Sequence, residues 1–142
     1  MGKGSTFDND LLKLIFNAAA IANLADNAAS APLTNLYLSL HTADPGAGGN
    51  QTTHEAAYTS YARVALARTS GGWTVTGAAV SPAANVDFPT CTGGAESITY
   101  VGVGTAASGT GKLLYSGAVS PTISVSTGVA PRITTSSTIT ES

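Results

Sequence analysis

The chain has few residues that carry out chemistry. From residue 70 to the end of the 142-residue sequence there is no histidine and one cysteine, and the charged side chains are Asp87, Glu96, Lys112, Arg132 and Glu141. An enzyme holds acids, bases, metal ligands or an activated nucleophile close together. This scarcity predicts a non-enzymatic protein whose role is to present and bury surface.

Other scarcities exclude further classes of protein. The single Cys91 excludes an intrachain disulfide, and no apolar run reaches the roughly 18 residues of a membrane-spanning helix. The six basic residues are scattered and the net charge is −2, which argues against nucleic acid as a partner. Charged residues make up 10% of the chain, against roughly 25% in a typical soluble domain. Such a surface resists association poorly, which predicts coverage by partner proteins; the alternative is a surface solvated by Ser and Thr hydroxyls.

The N-terminal part has the spacing of an amphipathic helix. Residues 8–29 are predicted to be helical, with Ser5 and Asp8 as a capping box and Pro32 as the stop signal. Apolar residues recur at three- and four-residue intervals, namely Leu11, Leu14, Ile15, Ala18, Ile21, Ala22 and Ala25. This stripe either covers one face of a sheet or docks on another subunit. The candidate partner-contact residues in the second case are Leu11, Leu14, Ile15 and Ile21.

From residue 35 the apolar period changes to two. Leu36, Leu38 and Leu40 alternate with Tyr37, Ser39 and His41, which predicts a half-buried strand. Further strands are predicted at residues 58–68, 73–76, 86–88, 97–104, 112–119, 122–126 and 133–140, with an exposed loop at 47–57. Turn residues recur every 8–12 residues or so, as in antiparallel sandwiches and barrels.

The predicted fold class is therefore mainly β. We expect an antiparallel β-sandwich or barrel-like, jelly-roll-like domain of about eight strands, preceded by one N-terminal α-helix. The expected boundaries are residues 1–34 for the N-terminal helical segment and 35–142 for the antiparallel β domain.

The glycine run at residues 102–107 fits a relaxed dinucleotide-binding pattern. A real site of that kind needs a helix next and an acid about 20 residues later. Ser108, Gly109, Thr110 and Gly111 follow instead. The run is better explained as a glycine-bearing strand and a hairpin turn, and no cofactor is predicted.

The residues His41, Asp44, His54 and Glu55 form the one cluster of side chains able to bind a metal ion. A metal site needs three or four ligands in fixed geometry. These four lie beside a Gly-rich and Asn-rich loop, so ordinary loop polarity is favoured and no metal is predicted.

The aromatic residues have two interpretations. Tyr37, Tyr58, Tyr61, Trp73, Tyr100 and Tyr115 could form a platform for sugar rings. Packing in the core and on sheet faces is the favoured interpretation.

Several segments in a fixed order carry a resemblance. They are residues 35–46 (NLYLSLHTADPG), 61–68 (YARVALAR), 98–104 (ITYVGVG), 107–117 (ASGTGKLLYSG) and a Thr-rich final strand. Together they resemble a family of small tailed-bacteriophage and prophage virion proteins, commonly labelled tail fibre proteins. The resemblance covers about residues 35–140 and implies no catalytic residue. It implies a non-enzymatic structural protein on the exterior of a phage particle, made in the cytoplasm of a bacterial host.

Two placements in the particle follow from this resemblance. The first is a capsid decoration (cement) protein that stabilises the shell through subunit contacts, as a small homo-oligomer such as a trimer or dimer. A compact domain without heptads or repeats favours it. The alternative is a tail fibre or tail-tip module that binds a host receptor or glycan. In the alternative, the loop from Asp44 to His54 and Tyr58 form the recognition site.

Overall fold

The computed structural model describes residues 3–21 and 31–141. In this part of the chain one helix precedes nine strands. The elements are α1 (Ser5–Phe16), β1 (Asn35–His41), β2 (Val64–Ala67), β3 (Trp73–Thr76), β4 (Ala79–Pro82), β5 (Val86–Asp87), β6 (Glu96–Gly104), β7 (Leu113–Val125), β8 (Arg132–Ile133) and β9 (Ile139–Thr140). The predicted fold class, a mainly β chain of antiparallel sheets after one N-terminal helix, is confirmed.

The described residues fall into two compact units, each built from separate stretches of chain. Unit 1 draws on Met1–Asn35, Leu66–Asn85 and Thr134–Ser142, and unit 2 on Leu36–Ala65 and Val86–Ile133. The boundary expected at residue 34 stays a prediction.

Unit 1 combines α1 with the three-stranded sheet β3-β4-β9. Leu12 and Phe16 lie four residues apart on one face of the helix, and both are 0% exposed. The Phe16 ring packs edge-on against Trp73, with ring centroids 4.7 Å apart. The Asn17 side chain, at the end of the helix, donates a 3.1 Å hydrogen bond to the carbonyl of Trp73. The helix therefore packs on this sheet, but through Leu12 and Phe16, which do not belong to the apolar stripe predicted from the sequence.

The bounds predicted for the helix were wrong at both ends. Helix α1 starts at Ser5 after an N-cap at Gly4 that makes no side-chain capping bond, so the predicted capping box does not form. It ends at Phe16, because Asn17 serves as the C-cap and Ala18 takes a φ of 53° in the left-handed region. The rest of the predicted helix, residues 22–29, lies outside the described residues.

Unit 2 contains the pairing of β1 with β6 and of β6 with β7, and the two-stranded sheet β5-β8. The full order of the larger sheet is β2-β1-β6-β7. The buried apolar side chains of unit 2 include Leu36, Leu38, Leu40, Tyr58, Phe88, Cys91, Ile98, Val103 and Val125.

The prediction that β1 is half-buried was wrong. Its leucines are buried as expected, but Ser39 and His41 on the other face are also 0% exposed. Gly102 of β6 lies opposite Ser39 in the register. A Cβ atom at Gly102 would come within 2.8 Å of His41 Nε2 and 2.9 Å of Ser39 Oγ. Glycine in the neighbouring strand therefore makes room for two polar side chains in the core.

Several other predicted strands differ from the structure. Only Val64–Ala67 of residues 58–68 is a strand, because Tyr61 N–H closes a turn onto the Tyr58 carbonyl at 2.9 Å. The two strands predicted at 112–119 and 122–126 belong to one strand, β7, whose pairing with β6 shifts register between Ala118 and Ile123. The strand predicted at 133–140 is interrupted by a turn at Thr134 and so divides into β8 and β9. Strand β4 was not predicted.

Candidate functional site

The polar core of unit 2 is built around His41. Its Nδ1 lies 2.8 Å from the carbonyl of Thr53, and its Nε2 lies 2.8 Å from Ser39 Oγ. A carbonyl can only accept a hydrogen bond, so Nδ1 carries the proton. In the neutral ring Nε2 then accepts a hydrogen bond from the Ser39 hydroxyl. The first bond joins β1 to Thr53 in the loop that follows it, and the second bond lies within β1.

A hydroxyl hydrogen-bonded to an imidazole is the arrangement that activates serine in many enzymes. Here Ser39 and His41 are both 0% exposed. Within the described part of the chain, a substrate in solvent has no access to the Ser39 hydroxyl. Ser39 and His41 therefore form a buried hydrogen-bonded pair with a structural role in the core. Burial lowers the pKa of His41 below its ordinary value, against the opposing effects of the Thr53 bond and the Glu55 charge.

Gln51 joins the loop after β1 to the turn between β6 and β7. Its Oε1 accepts from the Ala106 N–H at 2.9 Å and its Nε2 donates to the Ala106 carbonyl at 3.3 Å. The side chain is 0% exposed, so the prediction that residues 47–57 form an exposed loop is wrong at this position. A Cβ atom at Gly104 or Gly111 would collide with this amide. The glycine run thus forms a strand end and a hairpin turn, as the favoured interpretation expected.

An ion pair closes the same region. Arg63 donates to both carboxylate oxygens of Glu55, from Nε at 2.6 Å and from Nη2 at 2.8 Å. It also donates to the carbonyls of Ala106 and Gly109 at 2.9 and 2.7 Å. The Tyr61 hydroxyl donates to Glu55 Oε1 at 2.9 Å, and burial raises the pKa of Tyr61. The carboxylate of Glu55 is therefore occupied by protein donors.

The four residues considered as metal ligands do not converge. Glu55 is engaged by Arg63 and Tyr61, and both ring nitrogens of His41 are engaged in the core. No group of three or more His, Cys, Asp or Glu side chains able to hold a metal ion occurs among residues 3–21 and 31–141.

Asp44 and His54 lie on the surface of unit 2. Both are exposed, and His54 Nδ1 lies 3.0 Å from the Asp44 carbonyl. The Asp44 carboxylate accepts from the Gly46 N–H at 2.8 Å, which fixes the turn. His54 has a φ of 54°, a conformation that is uncommon for a residue with a side chain. The loop predicted for recognition therefore presents these two side chains to solvent.

Tyr58, the third residue predicted for recognition, is buried in unit 2. It is 3% exposed, and its hydroxyl donates to the Pro89 carbonyl at 2.9 Å. Its ring packs edge-on against Tyr61, with centroids 5.4 Å apart, and Tyr61 in turn stacks on Phe88 at 6.4 Å. Burial raises the pKa of Tyr58 to about 12. This is aromatic packing, as favoured from the sequence, and Tyr58 offers a partner almost no surface.

The outward side of α1 carries a second apolar stripe. Leu11, Leu14 and Ile15 of α1 are half-buried, and so is Ile21, which lies beyond the end of the helix. Phe7, one turn before Leu11, is 38% exposed and was missed because the helix was expected to begin at Asp8. We call Phe7, Leu11 and Leu14, which have i, i+4, i+7 spacing, the outer stripe. An earlier helix start would have added Phe7 to the candidate contacts.

Among the described residues, no helix has the length and apolar character needed to cross a membrane.

A comparison with family models extends the resemblance found in the sequence. The model described as Podophage GP4 fiber I protein gp80 matches residues 9–140, which includes most of α1 and all nine strands. None of the curated proteins matches the chain. The chain belongs to the podophage GP4 fiber I protein gp80 family, a family of phage fibre-type structural proteins of the virion.

Proposed function

We propose that the chain is a building block of the tail fibre apparatus, and that it works by burying surface against other virion proteins. The observation that carries this proposal is the family match over residues 9–140, because the description of that family names a fibre protein. The scarcity of charge supports a role in permanent contacts, since 10% charged residues leave the surface poorly protected against association.

Capsid decoration, the placement that the sequence alone favoured, is the competing proposal. It is supported by the described residues, which show neither the heptads nor the repeated β unit of a fibre shaft. The family description favours the fibre placement.

Copy number separates the two placements. Tail fibres surround one tail, so quantitative mass spectrometry of purified particles should find roughly a dozen copies or a few dozen. A capsid decoration protein repeats over the shell, and on the order of hundreds of copies per particle would overturn the fibre placement.

The outer stripe is the surface that we propose for contact with another virion protein. Phe7 is 38% exposed and Leu11 and Leu14 are half-buried, so the stripe presents apolar surface that a partner can bury. The helix itself is anchored in unit 1 by Leu12 and Phe16, so the stripe can be changed without removing the anchor.

We expect Phe7→Ser combined with Leu11→Ser to lower incorporation of the protein into particles. The matched control is Lys13→Ser, an exposed position of the same helix. Incorporation would be measured in particles of a phage that lacks the gene and receives the variant from a plasmid. Equal incorporation of the double variant and the control, with unchanged circular dichroism, would contradict this contact role.

Receptor or glycan recognition by Asp44 and His54 stays a prediction. The exposure of both side chains, with His54 Nδ1 3.0 Å from the Asp44 carbonyl, supports it, whereas the burial of Tyr58 removes that ring from the proposed surface.

A further inference from the structure

Helix α1 ends at a place where its own sequence favours continuation. Residues 18–20 are consecutive alanines, the residue type with the highest helix propensity, and they are exposed. Ala18 nevertheless takes a φ of 53°, in the left-handed region that carries a steric penalty for a residue with a Cβ atom. A strained residue within a stretch of strong helix propensity indicates that contacts elsewhere hold the chain in this turn.

Arg68 occupies backbone groups that a longer helix needs. In an α-helix each carbonyl accepts from the N–H four residues later, so a continuation of α1 would pair the Leu14 carbonyl with the Ala18 N–H. The Ile15 carbonyl would likewise pair with the Ala19 N–H. Both carbonyls accept instead from Arg68, from its Nη2 and Nε, each at 2.7 Å. The guanidinium therefore competes directly with extension of the helix.

Contacts on either side of Ala18 complete the short form of the helix. The Asn17 side chain donates to the Trp73 carbonyl at 3.1 Å. The Ala19 N–H donates to the Lys13 carbonyl at 3.1 Å, a carbonyl that also accepts from the Asn17 N–H at 2.9 Å. Extension would exchange this shared acceptor of Ala19 for a regular helical one, so it loses no backbone hydrogen bond at that residue.

A longer helix would also lengthen the outer stripe. Phe7, Leu11 and Leu14 have i, i+4, i+7 spacing, and Ala18 and Ile21 continue the same three- and four-residue intervals. In the short form Ile21 lies beyond the end of the helix, so helical spacing does not place it on the stripe. In a helix that reached Ile21, the stripe would follow the period of about 3.5 residues with which helices pack against one another.

We infer that residues 17–21, the switch segment, have two conformations, and that α1 lengthens through Ile21 when the outer stripe docks on another virion protein. A partner that contacts the longer stripe binds the long form better than the short form, and such a difference in affinity shifts the equilibrium between them. Arg68 and the left-handed turn at Ala18 bias the free protein toward the short form. The inference rests on the proposed function, because it takes the outer stripe as the contact surface.

The first test uses the purified full-length protein without a partner. Arg68→Met removes the competing donors and keeps an unbranched apolar stem, so residues 18–21 should gain helical Cα chemical shifts in nuclear magnetic resonance spectra. The amides of Ala18 and Ala20, which gain helical acceptors, should exchange with solvent about tenfold or more slowly than in the wild type. Arg132→Met is the matched control, because Arg132 pairs with Asp87 on the surface, and it should leave both measurements unchanged.

Adding Ala18→Gly to Arg68→Met should restore the short form, because glycine adopts the left-handed conformation without strain and is a poor helix former. Chemical shifts at residues 18–21 that are equal in Arg68→Met and the wild type overturn the inference. An Arg68→Met protein in which residues 5–16 lose their helical shifts also overturns it, since the helix then shortens instead of lengthening. So does a lengthened helix that persists in the double variant.

Ala18→Gly alone separates this inference from the proposed function. It favours the short form while Phe7 and Leu11 stay unchanged, so its incorporation into phage particles should fall about fivefold. The matched control is Ala47→Gly, the same substitution at an exposed loop position, which should incorporate like the wild type. If Phe7→Ser with Leu11→Ser lowers incorporation and Ala18→Gly does not, the contact role of the stripe stands and the lengthening of the helix on docking is overturned.

Discussion

His41 shows how a polar residue can serve as core. It is 0% exposed and both ring nitrogens are bonded, so its neutral form satisfies the hydrogen-bonding groups around it. Protonation would place a positive charge in the core. The carboxylate of Glu55 favours that charge and raises the pKa of His41, whereas Arg63 and, to a smaller degree, His54 lower it. Burial dominates these effects and holds the pKa of His41 below its ordinary value.

Stability should therefore depend on pH through His41. Its pKa is lower in the folded than in the unfolded chain, so between the two values the unfolded chain binds the extra proton. The free energy of unfolding should fall as pH drops below about 6.5, by at most about 1.4 kcal/mol per pH unit. Urea unfolding at a series of pH values measures this slope.

Two variants assign the slope to a residue. His41→Asn removes the titrating group, so its slope between pH 7 and the folded pKa of His41 should be smaller than that of the wild type, at a lower overall stability. His54→Asn is the matched control, because His54 is exposed and asparagine tolerates its φ of 54°. A wild-type slope that survives in His41→Asn and disappears in His54→Asn would refute the assignment.

At the scale of elements, Arg68 fastens the C-terminal turn of α1. Its Nε donates to the Ile15 carbonyl at 2.7 Å and its Nη2 to the Leu14 carbonyl at 2.7 Å. Its Nη1 donates to the Leu33 carbonyl at 2.8 Å. The last carbonyls of a helix have no partner within the helix. The Arg68 guanidinium donates hydrogen bonds to two of them, and its positive charge interacts favourably with the negative end of the helix dipole.

Replacing Arg68 by lysine should loosen this attachment. A single ammonium cannot reproduce the fork that spans three carbonyls, and we expect Arg68→Lys to lower the free energy of unfolding by about 2 kcal/mol. Urea unfolding followed by far-ultraviolet circular dichroism measures the change. Arg132→Lys is the matched control, because Arg132 is 55% exposed in its pair with Asp87. Equal unfolding curves for the two variants would show that the carbonyl contacts of Arg68 contribute nothing.

The elements also show where the sequence was informative. The alternation of Leu36, Leu38 and Leu40 predicted the start of β1 and its buried leucines, because a period of two is a local property. It could not predict the burial of Ser39, which depends on Gly102 lying opposite in the sheet register. The pattern also extended α1 too far, because the alanines after Phe16 continue the apolar spacing through the residue where the backbone turns left-handed.

The candidate site was also predictable only in part from the sequence. The exposure of Asp44 and His54 follows from turn chemistry that is visible in the sequence. The burial of Gln51 was not visible, since it depends on space left by Gly104 and Gly111 more than 50 residues later. Sequence patterns indicate what a residue contributes to its own element, whereas its distant contacts are determined by the fold.

At the scale of the whole molecule, each unit contains its own spectroscopic probe. Trp73, the one tryptophan, lies in unit 1. The five tyrosines all lie in unit 2, at residues 37, 58, 61, 100 and 115. Trp73 fluorescence therefore reports on unit 1, and the near-ultraviolet tyrosine signal reports mainly on unit 2.

Core substitutions should be detected first by the probe of the unit that they change. Leu12→Ala in unit 1 and Ile98→Ala in unit 2 each remove a side chain that is 0% exposed, at a cost of about 2–5 kcal/mol. We expect Leu12→Ala to lower the urea midpoint read by Trp73 fluorescence, and Ile98→Ala to lower the midpoint read by tyrosine circular dichroism. If Ile98→Ala shifted the Trp73 transition more than the tyrosine transition, the unit division would be wrong.

The pairing of β9 with β4 has a consequence for synthesis on the ribosome. Val80 and Ala79 pair with Ile139 and Thr140, and the Glu141 N–H donates to the Ala78 carbonyl at 2.8 Å. Because translation proceeds from the N-terminus, α1, β3 and β4 are synthesised before β9, and the β4–β9 pairing forms only after β9 leaves the exit tunnel. Meanwhile Phe16 and Trp73 lack the finished sheet that accompanies them in the mature protein. A chain truncated before β9 would therefore lack the strand that pairs with β4 in unit 1.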